Sequence, residues 1–166
     1  SFRKILRDRP NALLLIAGAA SFDLMGAINP GLTAAGQARI HFVDRFLEDG
    51  ELQLFFRAAD MAVYPYQKIL TSGSMLLALS YGVPVVIPKV GMTAEVLAGQ
   101  EAGQLYDGDG DGAEAALEDA LRSMLARKDD GTLMQMKANA RKLAETLQWQ
   151  DFSQLIRDKN VAATED

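Results

Sequence analysis

Short unbroken apolar runs mark the first two-thirds of the chain, and apolar residues at helical spacing govern the last third. Ala12-Leu13-Leu14-Leu15-Ile16-Ala17-Gly18 is continuous, which is how a parallel strand covered on both faces reads, so residues 12–18 predict one. Residues 39–43, 60–64, 84–88 and 104–106 predict further strands. Helical segments lie between them. Residues 1–9 form the first, stopped by Pro10-Asn11. The second, 50–58, is capped by Asp49 and carries Leu52, Phe55 and Phe56 on one face; 72–81 and 93–98 follow. Residues 19–36 are poorly periodic around Asn29-Pro30-Gly31 and predict a loop with a short helix.

Beyond residue 112 the rhythm changes. Leu117, Ala120, Leu121, Met124 and Leu125 recur at helical spacing, as do Leu133, Met136, Ala140, Leu143, Ala144 and Leu147. Trp149, Phe152, Leu155 and Ile156 predict a final helix docked across the body. There is no internal repeat and no long linker. Strands alternating with helices define an α/β class, a doubly wound parallel sheet followed by C-terminal helices.

Composition narrows the chemistry. The 166 residues suffice for one well-cored domain, and 49% apolar with 23% charged residues is ordinary for a globular chain. A formal charge of −5 with no basic run argues against a nucleic-acid partner. No cysteine means no disulfide framework and no thiolate metal site. His41 is the single histidine and reads as structural. No apolar run is long enough to span a bilayer and the start lacks a signal-peptide pattern, so a cytoplasmic protein is expected.

The candidate chemistry sits where one strand gives way to a helix. Ala59-Asp60-Met61-Ala62-Val63-Tyr64-Pro65-Tyr66 ends in a loop, Thr71-Ser72-Gly73-Ser74 opens a helix, and Gly82-Val83-Pro84-Val85-Val86 begins the next strand. The first N–H groups of a helix have no intrahelical partner, and its dipole places partial positive charge there, so this turn suits a phosphate. The same residues would also make an ordinary N-cap. Lys68 in the preceding loop could add cationic charge, and Tyr66 could pack on a sugar or base. Gly91-Met92-Thr93 and Glu95 follow a strand at its carboxyl end, where open α/β sheets place ligands; Glu95 reads equally as a first-turn acid. Asp107, Asp109, Asp111, Gly112 and Glu118 match a calcium-loop pattern, although a strand rather than a helix precedes them.

In order and spacing these residues resemble the C-terminal, nucleotide-binding half of a GT-B fold glycosyltransferase, closest to the retaining group called family 4. The resemblance runs over nearly the whole chain: Phe2, Leu13 to Gly18, Phe42-Val43, Leu52, Ala58-Ala59-Asp60, Pro65, Ala78, Gly82 to Val86, Glu95-Val96, Gly103 and the tail with Trp149. It implies transfer of a sugar from a UDP- or GDP-type nucleotide sugar to a hydroxyl acceptor, with retention and with no metal or other cofactor. It places the diphosphate at Thr71, Ser72, Gly73 and Ser74, and the nucleobase near Val43 and Arg45. Tyr66, Lys68, Gly91 and Glu95 complete the expected donor-binding set; no catalytic residue is assigned.

Two departures qualify that picture. Many relatives carry paired glutamates where this chain has Ile69 and Leu77, and Thr71-Ser72-Gly73 resembles a Ser-Gly variant of that turn. The family's opening strand, which carries an Arg and a Lys and lies centrally, precedes the helix at which this chain starts. A fragment of a two-domain enzyme is therefore expected. The absent half would hold the acceptor, a glycan or lipid-linked sugar, and the fragment could dimerise over the gap. Lipid-linked acceptors would bring the protein to the inner membrane surface. A sugar-nucleotide epimerase, a non-catalytic partner that kept the fold, and a calcium-binding module stand as alternatives.

Overall fold

The computed structural model describes residues 1–66 and 72–147. Helix α1 (Phe2–Asp8) leads into strand β1 (Leu14–Ala17), and two short helices, α2 (Leu24–Ile28) and α3 (Ala34–Gln37), return the chain to β2 (Ile40–Val43). Asp23 and Thr33 cap the short helices by accepting from the N–H groups of Gly26 and Gly36, which is why a segment of weak periodicity still folds. Helix α4 (Asp49–Ala58) follows, then β3 (Ala62–Val63), α5 (Gly73–Ser80), β4 (Val85–Pro88), α6 (Thr93–Leu97) and β5 (Gly103–Tyr106). Two longer helices, α7 (Ala113–Asp129) and α8 (Leu133–Thr146), close the described chain. The expected final helix around Trp149, Phe152, Leu155 and Ile156 lies outside the described residues.

All strand pairs are parallel, and the α/β class stands. The strands form two ladders, β1–β2 and β3–β4–β5. Strand β4 is the best-covered element. Val85 and Ile87 point into a core with Met75, Ala78 and Leu79 of α5, Val96 and Leu97 of α6, and Ala140 and Leu143 of α8. Val86, between them, points the other way, toward Ala120 and Met124 of α7 and Leu133 and Met136 of α8. Alternate side chains of one strand thus feed two cores, and a fully apolar run is the sequence that permits it.

β1 departs from its expectation. Its burial alternates, with Leu15 42% exposed and Leu13, just before the strand, 60% exposed. The apolar run that predicted cover on both faces has it on one. Helix α4 begins at Asp49 and is capped by Glu48, one residue earlier than expected; Glu51 reaches back to accept from the Glu48 N–H at 3.1 Å. Helix α1 lies along α7, joined by ion pairs of Lys4 with Glu118 (2.9 Å), Asp8 with Arg122, and Arg9 with Asp129. Gly103 has no room for a side chain: a Cβ there would stand 2.4 Å from the Val85 carbonyl oxygen, so glycine lets β5 approach β4.

Candidate functional site

Helix α5 starts beside the carboxyl end of β3, and Ser72 is its N-cap. The Ser72 side chain is 3% exposed, and its Oγ accepts from the Met75 N–H at 3.0 Å. That bond satisfies one of the donors a helix start leaves over. Gly73 and Ser74 head the helix and are both exposed. A Cβ on Gly73 would meet nothing within 4 Å among the described residues.

Three hydroxyls converge on this turn. Tyr66 Oη lies 2.8 Å from Ser74 Oγ and 3.3 Å from Ser72 Oγ, and the two serine oxygens are 3.1 Å apart. Tyr64 stacks on Tyr66 with ring centroids 5.5 Å apart and donates its hydroxyl to the Ser74 carbonyl at 2.7 Å. Burial pushes the Tyr64 hydroxyl well above the usual tyrosine range, which keeps it a protonated donor. Each hydroxyl can rotate between donating and accepting, so the cluster can turn protons toward an anion. The structure thereby unites Tyr66, Ser72, Gly73 and Ser74. Sequence reasoning passed over Tyr64; the Tyr-Pro-Tyr at the strand end was the signal.

Lys68 and Thr71 lie outside the described residues, as does Ile69. Val43 ends β2 on the other ladder. Arg45 donates two hydrogen bonds to Glu51, of 2.6 and 2.7 Å. Gly91, at φ +56, turns the chain after β4, and Glu95 is exposed on α6. The loop is held by the buried Thr93 hydroxyl, which bonds the carbonyls of Pro88 (2.7 Å) and Val90 (2.6 Å). Leu77 lines an apolar groove of about 230 Å³ between α5 and α8, with Leu76 and Leu147.

The calcium-loop pattern does not assemble. Glu118 is buried against Lys4 of α1 rather than turned to the loop, and among the described residues no group of three His, Cys, Asp or Glu side chains could hold a metal ion. Among the described residues no helix is long and apolar enough to cross a membrane.

Parallel strands with helices on both faces, and a capped helix opening at a strand's carboxyl end, define a parallel α/β domain. The profile of the family "Glycosyl transferases group 1" matches residues 1–127, and the chain belongs to that family. Among solved structures it is similar to sucrose-phosphate synthase from Thermosynechococcus elongatus (TM-score 0.69, 21% identity, 97% of this chain and 42% of that one). It is also similar to Anabaena Alr3699/HepE in complex with UDP (TM-score 0.67, 19% identity, 92% and 42%). A third is the C-terminal domain of a group 1 glycosyl transferase, LpcC, from Francisella tularensis (TM-score 0.68, 20% identity, 85% and 72%). At such identities the likeness shows the fold. The chain spans about two-fifths of the first two of these structures. Among curated proteins none matches.

Proposed function

We propose that this chain is the donor-binding domain of a glycosyltransferase that moves a sugar from a nucleoside-diphosphate sugar to a hydroxyl acceptor, with retention. The observation that carries the reading is the start of α5, where the exposed Gly73 stands beside the Tyr66, Ser72 and Ser74 hydroxyls. In the transfer the bond from the anomeric carbon to the phosphate oxygen breaks, the acceptor oxygen bonds that carbon, and the acceptor proton leaves. Negative charge grows on the departing diphosphate. A helix N-terminus with fixed donors stabilises such charge without a metal ion.

Family membership supports sugar transfer, and the UDP bound to the HepE relative makes a uridine nucleotide the first probe. The acceptor, a glycan or lipid-linked sugar, would be held by a separate half of the enzyme, in the cytoplasm or at the inner membrane surface. A homodimer of this domain is a further expectation. Leu77 facing α8, where many relatives place an acid, favours a second reading: a non-catalytic relative that kept the fold.

Calorimetric titration of the chain with UDP, GDP and ADP tests the proposal, beside Gly73→Glu. An acid in the first turn favours the helix but repels a diphosphate, so the variant should fold. Micromolar to millimolar binding of one nucleotide, weakened at least tenfold in Gly73→Glu, is expected; binding of none, or equal binding by both proteins, would sink it.

A further inference from the structure

Helix α5 turns one stripe toward the groove of about 230 Å³ beside α8. Gly73, Leu76, Leu77 and Ser80 form that stripe at helical spacing, and Ala144 and the cap residue Leu147 of α8 line the other side. Leu76 and Leu77 are only half-buried, and Gly73 and Ser80 are exposed. The two helices run antiparallel. A Cβ on Gly82, just past the end of α5, would stand 3.2 Å from the Lys137 carbonyl oxygen and 3.3 Å from the Arg141 guanidinium, whereas the groove is reached by Ala144 and Leu147. Helix α8 therefore ends toward the start of α5. Leu147 has left helical geometry, at φ −87 and ψ 86, so the chain turns there with the groove beside it.

The sequence that follows matches the groove in length and period. Past Leu147 the chain continues through residues 148–166, whose apolar positions Trp149, Phe152, Leu155 and Ile156 fall at i, i+3, i+6 and i+7. The α5 stripe falls at i, i+3, i+4 and i+7. Seven steps of helix rise about 10.5 Å, so the two stripes are equally long. Trp149 stands two residues beyond Leu147, within about 7 Å of it even in extended chain. Gly73 offers a large ring the most room, since a Cβ there would meet nothing within 4 Å among the described residues. A segment tethered so closely has an effective concentration on the order of millimolar, well above that of a second copy at micromolar protein.

We infer that residues 148–156 are the occupant of this groove, a helical segment that seats Trp149 beside Gly73, Phe152 on Leu76 and Leu77, and Ile156 toward Ser80. The segment completes the cover of α5, the helix that begins at the Ser72 turn. It does so whether or not that turn binds a nucleotide.

Trp149 is the single tryptophan of the chain, so its fluorescence reads the seat directly. In the full chain its emission should lie to the blue of the denatured chain's, and acrylamide should quench it at least threefold less. Leu77→Glu puts a charge in the groove at a half-buried position and should return quenching to near the denatured value, with far-UV circular dichroism unchanged. Met134→Glu, at a 70% exposed position of α8 away from the groove, should leave Trp149 as in the wild type. Trp149→Ser lies outside both cores and should speed hydrogen exchange at the amides of residues 76–80 at least threefold, which decides the matter should Leu77→Glu fail to fold. Quenching in the native chain equal to that in denaturant would overturn the inference, as would shielding that a folded Leu77→Glu does not disturb. Shielding lost on hundredfold dilution would give the groove to a second copy instead, and exchange in α5 unmoved by Trp149→Ser would leave the tail no part in covering it.

Discussion

The Arg45 guanidinium grips Glu51 with paired hydrogen bonds, and this holds the Glu51 carboxyl down at about 2, against an ordinary 4.5. The backbone N–H of Glu48 adds to the effect. Because the folded carboxyl takes its proton later than the unfolded one, the pair's contribution is whole above pH 4.5 and is lost as pH falls toward 2. Both side chains stay partly exposed, so the contribution is small. Glu51→Gln should flatten the fall of thermal stability with acid between those two pH values relative to the wild type. Carboxyl NMR should give Glu51 a midpoint near 2; a midpoint at 4.5 would mean that the pair does not persist in solution. Arg45 also shows the limit of reading charge from sequence. Its pairing with the acid six residues on, brought round by the start of α4, left no trace in the spacing.

At the level of elements, two apolar strands that look alike in sequence behave differently. Ile87 on β4 is fully buried, while Leu15 on β1 is 42% exposed. Ile87→Ala should cost ~2–5 kcal/mol in denaturant unfolding, through lost transfer energy and a cavity the core closes only partly. Leu15→Ala should cost about 1 kcal/mol or less, since much of its surface is already in water. Equal losses would show that β1 is covered in solution as β4 is. Periodicity could not separate the two, because a run of apolar residues records which faces tolerate burial and not what comes to cover them. The helix order, the strand ends and the Ser72 cap were legible, since each depends on residues close in sequence. The Tyr66–Ser74 contact joins residues eight apart, and Glu118 pairs with Lys4 by its place on α7. Through-space choices of this kind leave little trace in spacing.

For the whole molecule, the division into two ladders predicts uneven stability. β3–β4–β5 is enclosed by two cores, fed by α5, α6, α7 and α8. β1–β2 is joined to that body by α1 lying along α7, through the Lys4–Glu118, Asp8–Arg122 and Arg9–Asp129 pairs, and by Phe56 of α4 stacked on Tyr81 at 5.5 Å. Ion pairs with exposed partners contribute little each and are weakened further by salt. The β1–β2 unit can therefore open without breaking the core around β4, and local opening needs less free energy than global unfolding. Native-state hydrogen exchange should find the amides of residues 14–17 and 40–43 exchanging at least about tenfold faster than those of 85–88. Raising NaCl to about 1 M should widen the gap, because the Debye length then shrinks to roughly 3 Å and the α1–α7 pairs are screened while the apolar core is not. Uniform protection across both ladders, unmoved by salt, would mean that the chain unfolds as one unit. The division bears on function as well, because Val43 and the Ser72 turn belong to different ladders. If a nucleotide spans both, adding it should slow exchange at residues 40–43; a nucleotide held by the Ser72 turn alone would protect only the start of α5.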